Sequence, residues 1–328
     1  MPHFRVLLTD YAWPDLDIER AILAEYEAEL IVAPDRDLST LIDVAGDVDA
    51  ILTNWSDVPA ELIDAASRCR IIARLGIGLD NIDVRHATAR GIPVTNVPDY
   101  CLTEVAEHTL ALLLALARKI GVFHAQTKAG RYDLAAGLPL RRIEGRTLGI
   151  IGLGRTGRRV AEKAQALGLR VIAYSRSHPK PPPGVAWADL NQVLSDSDYL
   201  SLHVPLTGDT RHMIGAPQLA RMKPTAFLIN TARGGLIDQA ALAAALCDNR
   251  LAGAALDVQD QEPPDLSHPP YNDPRVIVTP HAAFYSNESV DELRRRASRQ
   301  VGVRLSGGRP ENVVNPDVLD WAPPGPRA

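Results

Sequence analysis

Short apolar runs alternate along the chain with stretches whose apolar residues recur every three or four positions, and the alternation occurs twice. From Phe4 the runs FRVLL, ELIVA, AILT and RIIARLG read as strands buried on both faces, as parallel strands between helices must be. Helical spacing separates them, from about residue 16, over 38–44 and after Pro59, and a further strand is predicted over 92–97. After Pro98 a long apolar helix spans 102–120; its leucine and alanine surface is too extensive to face water, which predicts burial between domains, between subunits, or both. His108 within it reads as a satisfied core histidine rather than a ligand. A less regular segment, 121–146, leads into a second alternation with six predicted strands, at 147–151, 169–174, 199–204, 226–230, 253–258 and 275–279. A last helix over Asn287–Leu305 precedes a tail rich in proline and glycine.

The pattern predicts an α/β protein of two Rossmann-like, doubly wound, parallel-sheet domains. The last helix is expected to return to the first domain, which makes that domain discontinuous: residues 1–100 with 288–328, against 101–287 for the second.

Only the second alternation carries a nucleotide signature. The strand TLGII breaks into Gly152-Leu153-Gly154-Arg155-Thr156-Gly157, and a helix marked by Val160, Ala161, Ala164 and Leu167 follows, ending at Gly168 before the next strand. Gly152 permits the tight turn, Gly154 lets the backbone approach a phosphate, and Gly157 lets helix and strand pack closely. The amides of Arg155 and Thr156 are then expected to face the anion. A purely structural glycine turn is the bland alternative, but strand, turn, helix and second strand all stand in the required order. At the end of the second strand, where an acidic residue would bond ribose hydroxyls, the chain has Ser175-Arg176. A hydroxyl followed by a guanidinium suits a 2′-phosphate, so NADP(H) is expected to be preferred or accepted beside NAD(H); a solvated arginine is the alternative. The first domain has Thr9-Asp10-Tyr11 after its first strand instead of glycines and reads as the substrate domain.

Bulk properties narrow the partners. A length of 328 residues, 46% of them hydrophobic and 23% charged, suits two ordinary globular domains. Net charge is −5, with cations scattered rather than striped, which argues against nucleic acid. The one basic run, Arg294-Arg295-Arg296, reads as a solvated helix face. Three separated cysteines support neither a disulfide framework nor a zinc site, nothing points to a metal, and a reducing cytoplasm fits. No secretory signal is read at the N-terminus, and the most apolar stretch, 109–117, is too short to span a bilayer, so no membrane partner is expected.

Three strand ends carry groups suited to carbonyl reduction: Arg233 after FLINTA, Glu262 after AALDV and His281 after VIVTP. Hydride delivered to carbon leaves an oxygen that needs a proton, and histidine is the natural donor near neutral pH. Glu262 against the imidazole would favour its protonated form, and Arg233 could grip a carboxylate through two parallel hydrogen bonds. In the first domain the loop Leu75-Gly76-Ile77-Gly78 offers backbone amides for an acid, with Arg74 beside it; a plain turn capped by Asn81 or Asp83 reads equally well.

The stretches GLGRTG, HVPLT, NTARGGLID, GAALDVQDQEPP and TPHAAFYS resemble the successive motifs of the D-isomer-specific 2-hydroxyacid dehydrogenases, over nearly the whole chain. The resemblance implies two domains with a cleft between them, a homodimer formed largely through the nucleotide domains, and reduction of a small 2-oxoacid to a D-2-hydroxyacid with NAD(P)(H). It puts Arg233, Glu262 and His281 on catalytic positions and Asp257 on the nicotinamide carboxamide. It has His203, Val204, Pro205, Thr210 and Ala283 line the cofactor, and Thr231 and Ala232 lie near the nicotinamide. Gly76 with Ile77 meets the substrate carboxylate, with Tyr100 and Phe284 near the substrate. Within the family RLGIGLDNID and HAAFYSNES are most similar to the C-terminal binding protein branch, although Phe284 stands where that branch has tryptophan. Ser175-Arg176 resembles the NADPH-using glyoxylate and hydroxypyruvate reductases. The alternative to a reductase is a dinucleotide-sensing binding module like the corepressors of that branch.

Overall fold

A computed structural model describes residues 3–177 and 180–319. The chain divides into two compact units, Met1–Tyr100 with Ser286–Ala328, and Cys101–Tyr285.

The first unit is built on five parallel strands, β1 (Phe4–Leu8), β2 (Ala28–Val32), β3 (Ala50–Thr53), β4 (Ile72–Arg74) and β5 (Val94–Thr95), in the order β2-β1-β3-β4-β5. Val6, Leu7 and Leu8 and all of β3 are buried, as both faces of a helix-covered parallel sheet require. The helix Asn287–Leu305 packs on the helix Asp17–Ala24 and against β3 and β4, so the C-terminal segment completes the first sheet's cover.

That packing corrects the reading of the basic run. Arg294 is 4% exposed and lays its guanidinium across Glu19, 0% exposed, through two 2.8 Å bonds; it also bonds Asp15 and lies 5.4 Å from the centre of the Trp13 ring. At 3.6 residues per turn consecutive arginines cannot share a face. Arg294 points inward, Arg296 bridges Asp99, Glu292 and Glu311, and Arg295, paired loosely with Asp291, is the exposed member. The buried guanidinium is tolerated because Glu19 matches its charge and its geometry.

The second unit has seven parallel strands where six were expected: β6 (Thr147–Ile151), β7 (Arg170–Tyr174), β8 (Val185–Trp187), β9 (Tyr199–Leu202), β10 (Phe227–Asn230), β11 (Gly253–Leu256) and β12 (Val276–Val278). Their order is β12-β11-β10-β9-β6-β7-β8. The extra strand, β8, is three residues at the sheet edge beside a proline-rich loop, too short to leave a periodic signal. Strand order reverses between β6 and β9, which opens a crevice at their C-terminal ends.

The helix Leu102–Arg118 packs on the helix Arg155–Ala166 and on β10 and β11. Ala106, Leu110, Leu113 and Leu116 of this helix are buried in the core these elements form. It stops at Lys119, left-handed at φ 53°, and a second helix, Ile120–Lys128, begins in the stretch expected to be irregular; no residue of it is buried, which is why it left no amphipathic signal. Among the described residues no helix is long and apolar enough to cross a membrane.

Candidate active site

The glycine turn lies in the crevice where strand order reverses. Gly152 leaves β6 at φ 97°, its amide bonded to the Tyr174 carbonyl, and a Cβ there would stand 2.5 Å from the His203 carbonyl oxygen and 2.8 Å from Val204. A Cβ at Gly157 would stand 2.1 Å from the Gly152 carbonyl oxygen, whereas one at Gly154, the N-cap of the helix Arg155–Ala166, would meet nothing within 4 Å. The turn is therefore closed underneath and open above. The first amides of that helix, including Arg155 and Thr156, have no partner one turn back and carry the positive end of its dipole. Such a cradle fits the pyrophosphate of a dinucleotide.

Around it the expected flanking residues have defined partners. Arg176 pairs with Asp209 at 3.2 Å, both more than four-fifths exposed (82% and 81%), and Ser175 Oγ lies 3.4 Å from Ser177 Oγ. So exposed a pair holds its guanidinium weakly. His203 bonds Ser201 Oγ through Nε2 at 2.9 Å, and desolvation holds its imidazole below the ordinary histidine value; it stays neutral near pH 7 and is no proton donor there. Thr210 donates to the Pro205 carbonyl at 2.7 Å and so braces that loop. Thr231 is buried against Thr109 of the long helix, Oγ1 to Oγ1 2.8 Å.

The three expected catalytic side chains come from the ends of β10, β11 and β12. Asn230, last residue of β10, accepts from the Ala232 amide at 3.0 Å and donates to the Arg233 carbonyl at 2.8 Å, which fixes the turn that presents Arg233. Gly234 packs so closely on the next loop that a Cβ would lie 1.9 Å from the Gln259 carbonyl carbon. That close approach joins the Arg233 loop to the one carrying Glu262. Glu262 accepts the Gln259 amide on Oε1 at 2.9 Å and meets His281 Nδ1 with Oε2 at 2.8 Å. Burial alone would raise its carboxyl, but the hydrogen bond and charge of His281, the Gln259 amide and the charge of Arg233 together hold it below the ordinary glutamate value. Arg233, Glu262 and His281 thus share one electrostatic neighbourhood. With Nδ1 engaged, Nε2 is the imidazole nitrogen left for chemistry.

His281 sits at φ 53°, a left-handed conformation that costs a non-glycine residue about 1–2 kcal/mol. Asp257 holds it there. Its carbonyl accepts the His281 amide at 2.8 Å, Oδ1 accepts the Ala282 amide at 2.9 Å and the Thr279 hydroxyl at 2.5 Å, and Oδ2 accepts the Ala283 amide at 2.9 Å. Burial works to raise this carboxyl, yet bonds from His108, Thr279, Ala282 and Ala283 bring it down to about 2. The Phe284 ring stands edge-on to His281 at 6.2 Å.

In the first unit Arg74 is only 8% exposed; Nε donates to Asn81 Oδ1 at 3.1 Å, and Nη1 donates to Asn54 Oδ1 and the Leu75 carbonyl. A Cβ at Gly76 would lie 2.8 Å from that guanidinium. Arg74, expected beside an acid substrate, braces the Gly76 turn from beneath, with Nε engaged by half-buried Asn81 and Nη1 by buried Asn54 and the Leu75 carbonyl. The carbonyls of Gly76 and Ile77 accept from the Val97 amide (3.0 Å) and Asn96 Nδ2 (2.8 Å). Asp83 caps the helix Val84–Ala89 by accepting the His86 amide, as the cap reading expected. Tyr100 is buried at 8% exposure. Sequence reasoning missed Asn230, Thr279 and Gln259; the first two were legible as polar residues closing apolar strands, and the third left no such mark.

The family model for the D-isomer specific 2-hydroxyacid dehydrogenase NAD binding domain matches residues 110–283. The chain is 39% identical over 292 residues to a glyoxylate reductase of Korarchaeum cryptofilum, covering 87% of this chain and 88% of that one. Among solved structures it is similar to an acyclic imino acid reductase in complex with NADPH and D-Arg (TM-score 0.84, 29% identity, 94% of this chain and 99% of that one). It is also similar to the D-lactate dehydrogenase of Aquifex aeolicus complexed with NAD and lactic acid (TM-score 0.82, 28% identity, 92% and 96%).

Proposed function

Since the chain belongs to the D-isomer specific 2-hydroxyacid dehydrogenase family, we propose that it reduces a small 2-oxoacid, of which glyoxylate is the first candidate, to the D-2-hydroxyacid with NAD(P)H, and catalyses the reverse oxidation. The observation that carries this reading is the 2.8 Å pair of Glu262 and His281, with Arg233 acting on the same carboxylate, in the unit that also holds the open glycine cradle.

When bound, the reduced nicotinamide supplies hydride to the 2-carbon. His281 donates the accompanying proton from Nε2 to the carbonyl oxygen, and anionic Glu262 keeps Nδ1 protonated and balances the imidazolium. Arg233 forks the substrate carboxylate and draws charge from the adjacent carbonyl. Asp257, which the family resemblance assigns to the nicotinamide carboxamide, is 0% exposed with its carboxylate held by Thr279, Ala282 and Ala283, so its part in this reading is to set the turn that carries His281. The cradle residues Gly152, Gly154, Arg155, Thr156 and Gly157 hold the pyrophosphate. In the first unit, the amides of the Gly76-Ile77 turn are the groups proposed for the substrate acid, with Tyr100 as a neighbour.

Ser175 and Arg176 support a preference for NADPH, because the exposed Arg176–Asp209 pair exchanges readily for a 2′-phosphate. Comparing KM for NADH and NADPH, in the wild type and in Arg176→Ala, tests this; the substitution should raise KM for NADPH alone, and strong NADH preference in the wild type overturns it. A homodimer is supported by apolar side chains left exposed on the 120–138 segment, Ile120 (58%), Leu134 (82%) and Leu138 (67%) among them. Light scattering showing a monomer at micromolar concentration overturns that.

The function itself is tested by absorbance assays of glyoxylate, hydroxypyruvate, pyruvate, phenylpyruvate and 4-methylthio-2-oxobutyrate with each cofactor. Turnover of at least one, abolished in His281→Ala with cofactor binding retained, is the expected result. Silence across the panel with cofactor bound refutes it, and oxidation of formate or phosphite instead moves the substrate to another class.

A further inference from the structure

His108 lies on the long apolar helix and looks from its sequence position like packing. In the folded second unit its ring is 26% exposed, and Nε2 lies 3.1 Å from Thr279 Oγ1 and 3.4 Å from Asp257 Oδ1. The proton count at this junction is determined. Thr279 has one hydroxyl proton, and the 2.5 Å bond to Asp257 Oδ1 uses it. Towards His108 the hydroxyl can therefore only accept, so Nε2 must carry a proton.

That N–H bears on the geometry of the reacting turn. The Asp257 carboxylate is 0% exposed and depends wholly on donors from the protein. Two of those donors, the Ala282 and Ala283 amides, directly follow His281, whose left-handed backbone is held by the Asp257 carbonyl. A carboxylate that swings to recover a lost donor carries both amides with it and moves the imidazole. A displacement of a fraction of an ångström at a proton donor is costly to a hydride-transfer step while leaving substrate binding intact.

We propose that His108 is a positioning residue for the reduction: its Nε2–H, shared between Thr279 and Asp257, sets the Asp257 carboxylate and through it the turn that aims His281. The proposal rests on the reductase reading above and adds to it a residue which touches neither substrate nor cofactor.

The test uses the full-length protein in four forms: His108→Phe, His108→Gln, Thr279→Val and the His108→Phe/Thr279→Val double variant. Phenylalanine keeps the ring and removes the donor; glutamine puts an amide N–H close to where Nε2 stands. His108→Phe should lower kcat roughly tenfold or more, the effect of losing one hydrogen bond to a charged group, with KM for the 2-oxoacid within about twofold. His108→Gln should restore kcat to within about threefold of wild type. The double variant should be no slower than Thr279→Val by more than about twofold, since both act along one path. In long-range nitrogen-15 spectra of the wild type at about pH 8 the His108 ring should be the Nε2–H tautomer.

Wild-type kcat in His108→Phe, a glutamine variant as slow as phenylalanine at unchanged Tm, or an Nδ1–H tautomer each overturn the proposal. If His108→Phe does not fold, the glutamine and valine variants decide it by the same kcat criteria. Should the wild type turn over no 2-oxoacid, the reductase reading fails, and the tautomer, which needs no turnover, still decides whether the donor exists.

Discussion

Replacing Glu262 by glutamine isolates the charge in the pair that drives proton transfer. The amide oxygen can still accept from His281 Nδ1, so the 2.8 Å contact survives while the negative charge is lost. Two unit charges centred about 4 Å apart interact by at most about 4 kcal/mol at an effective dielectric near 20. The two side chains are 27% and 33% exposed, so water and salt reduce that to roughly 1–2 kcal/mol, a factor of roughly 5–30 in rate. The sign follows from which form of the imidazole each direction needs. Reduction requires the imidazolium, which the carboxylate stabilises, so removing the charge should lower kcat/KM for reduction by roughly that factor. Oxidation requires the neutral imidazole and should lose correspondingly less. The assay is NAD(P)H absorbance at steady state, kcat/KM in both directions from about pH 5 to 9. Wild-type kcat/KM for reduction in a folded variant refutes the assignment of Glu262 as the charge behind the acid.

Three further outcomes are expected. Gly154→Ala should fold with an unchanged Tm, because its Cβ meets nothing within 4 Å, yet weaken cofactor binding by roughly tenfold where the backbone must approach a phosphate; tight binding measured by nicotinamide fluorescence contradicts the cradle. Asp257 has a folded-state value of about 2, below its unfolded one, so its contribution is complete above about pH 4 and is lost as pH falls towards 2; urea midpoints of wild type and Asp257→Asn should converge over that window by on the order of 2 kcal/mol. Arg294→Ala should cost about 3–5 kcal/mol in denaturant unfolding by stranding buried Glu19, whereas Arg294→Met with Glu19→Leu should cost far less; equal losses rule out the buried pair as the cause.

Much of the site was readable because it is local in the chain. Gly152, Gly154 and Gly157 follow a buried strand and open a helix, and that order alone demands a turn closed below and open above. Arg233, Glu262 and His281 each end or closely follow a strand, and parallel strands of one sheet deliver their C-terminal ends to a common edge. The arginine run at 294–296 misled because charge composition records no helix phase: one residue of three turned inward to meet Glu19, some 275 positions earlier. The bracing role of Arg74 was hidden for a similar reason, since Asn54 and Asn81, which accept from its Nη1 and Nε, are adjacent to it only in the fold.

What the sequence determined by itself was therefore whatever depends on periodicity and on glycine: two doubly wound sheets, the nucleotide turn, and which strand ends carry reactive groups. Only the tertiary structure decided the partners of buried charge. That Asp257 gathers two side-chain and two backbone donors beneath His281, that Gly234 closes Arg233 onto the Glu262 loop, and that His108 contributes a proton instead of mere bulk all depend on close contacts between residues up to 171 positions apart. Hydrophobic pattern specifies which face of an element is buried, but hydrogen bonding is settled by position to within a few tenths of an ångström, and that precision exists only once the elements have packed.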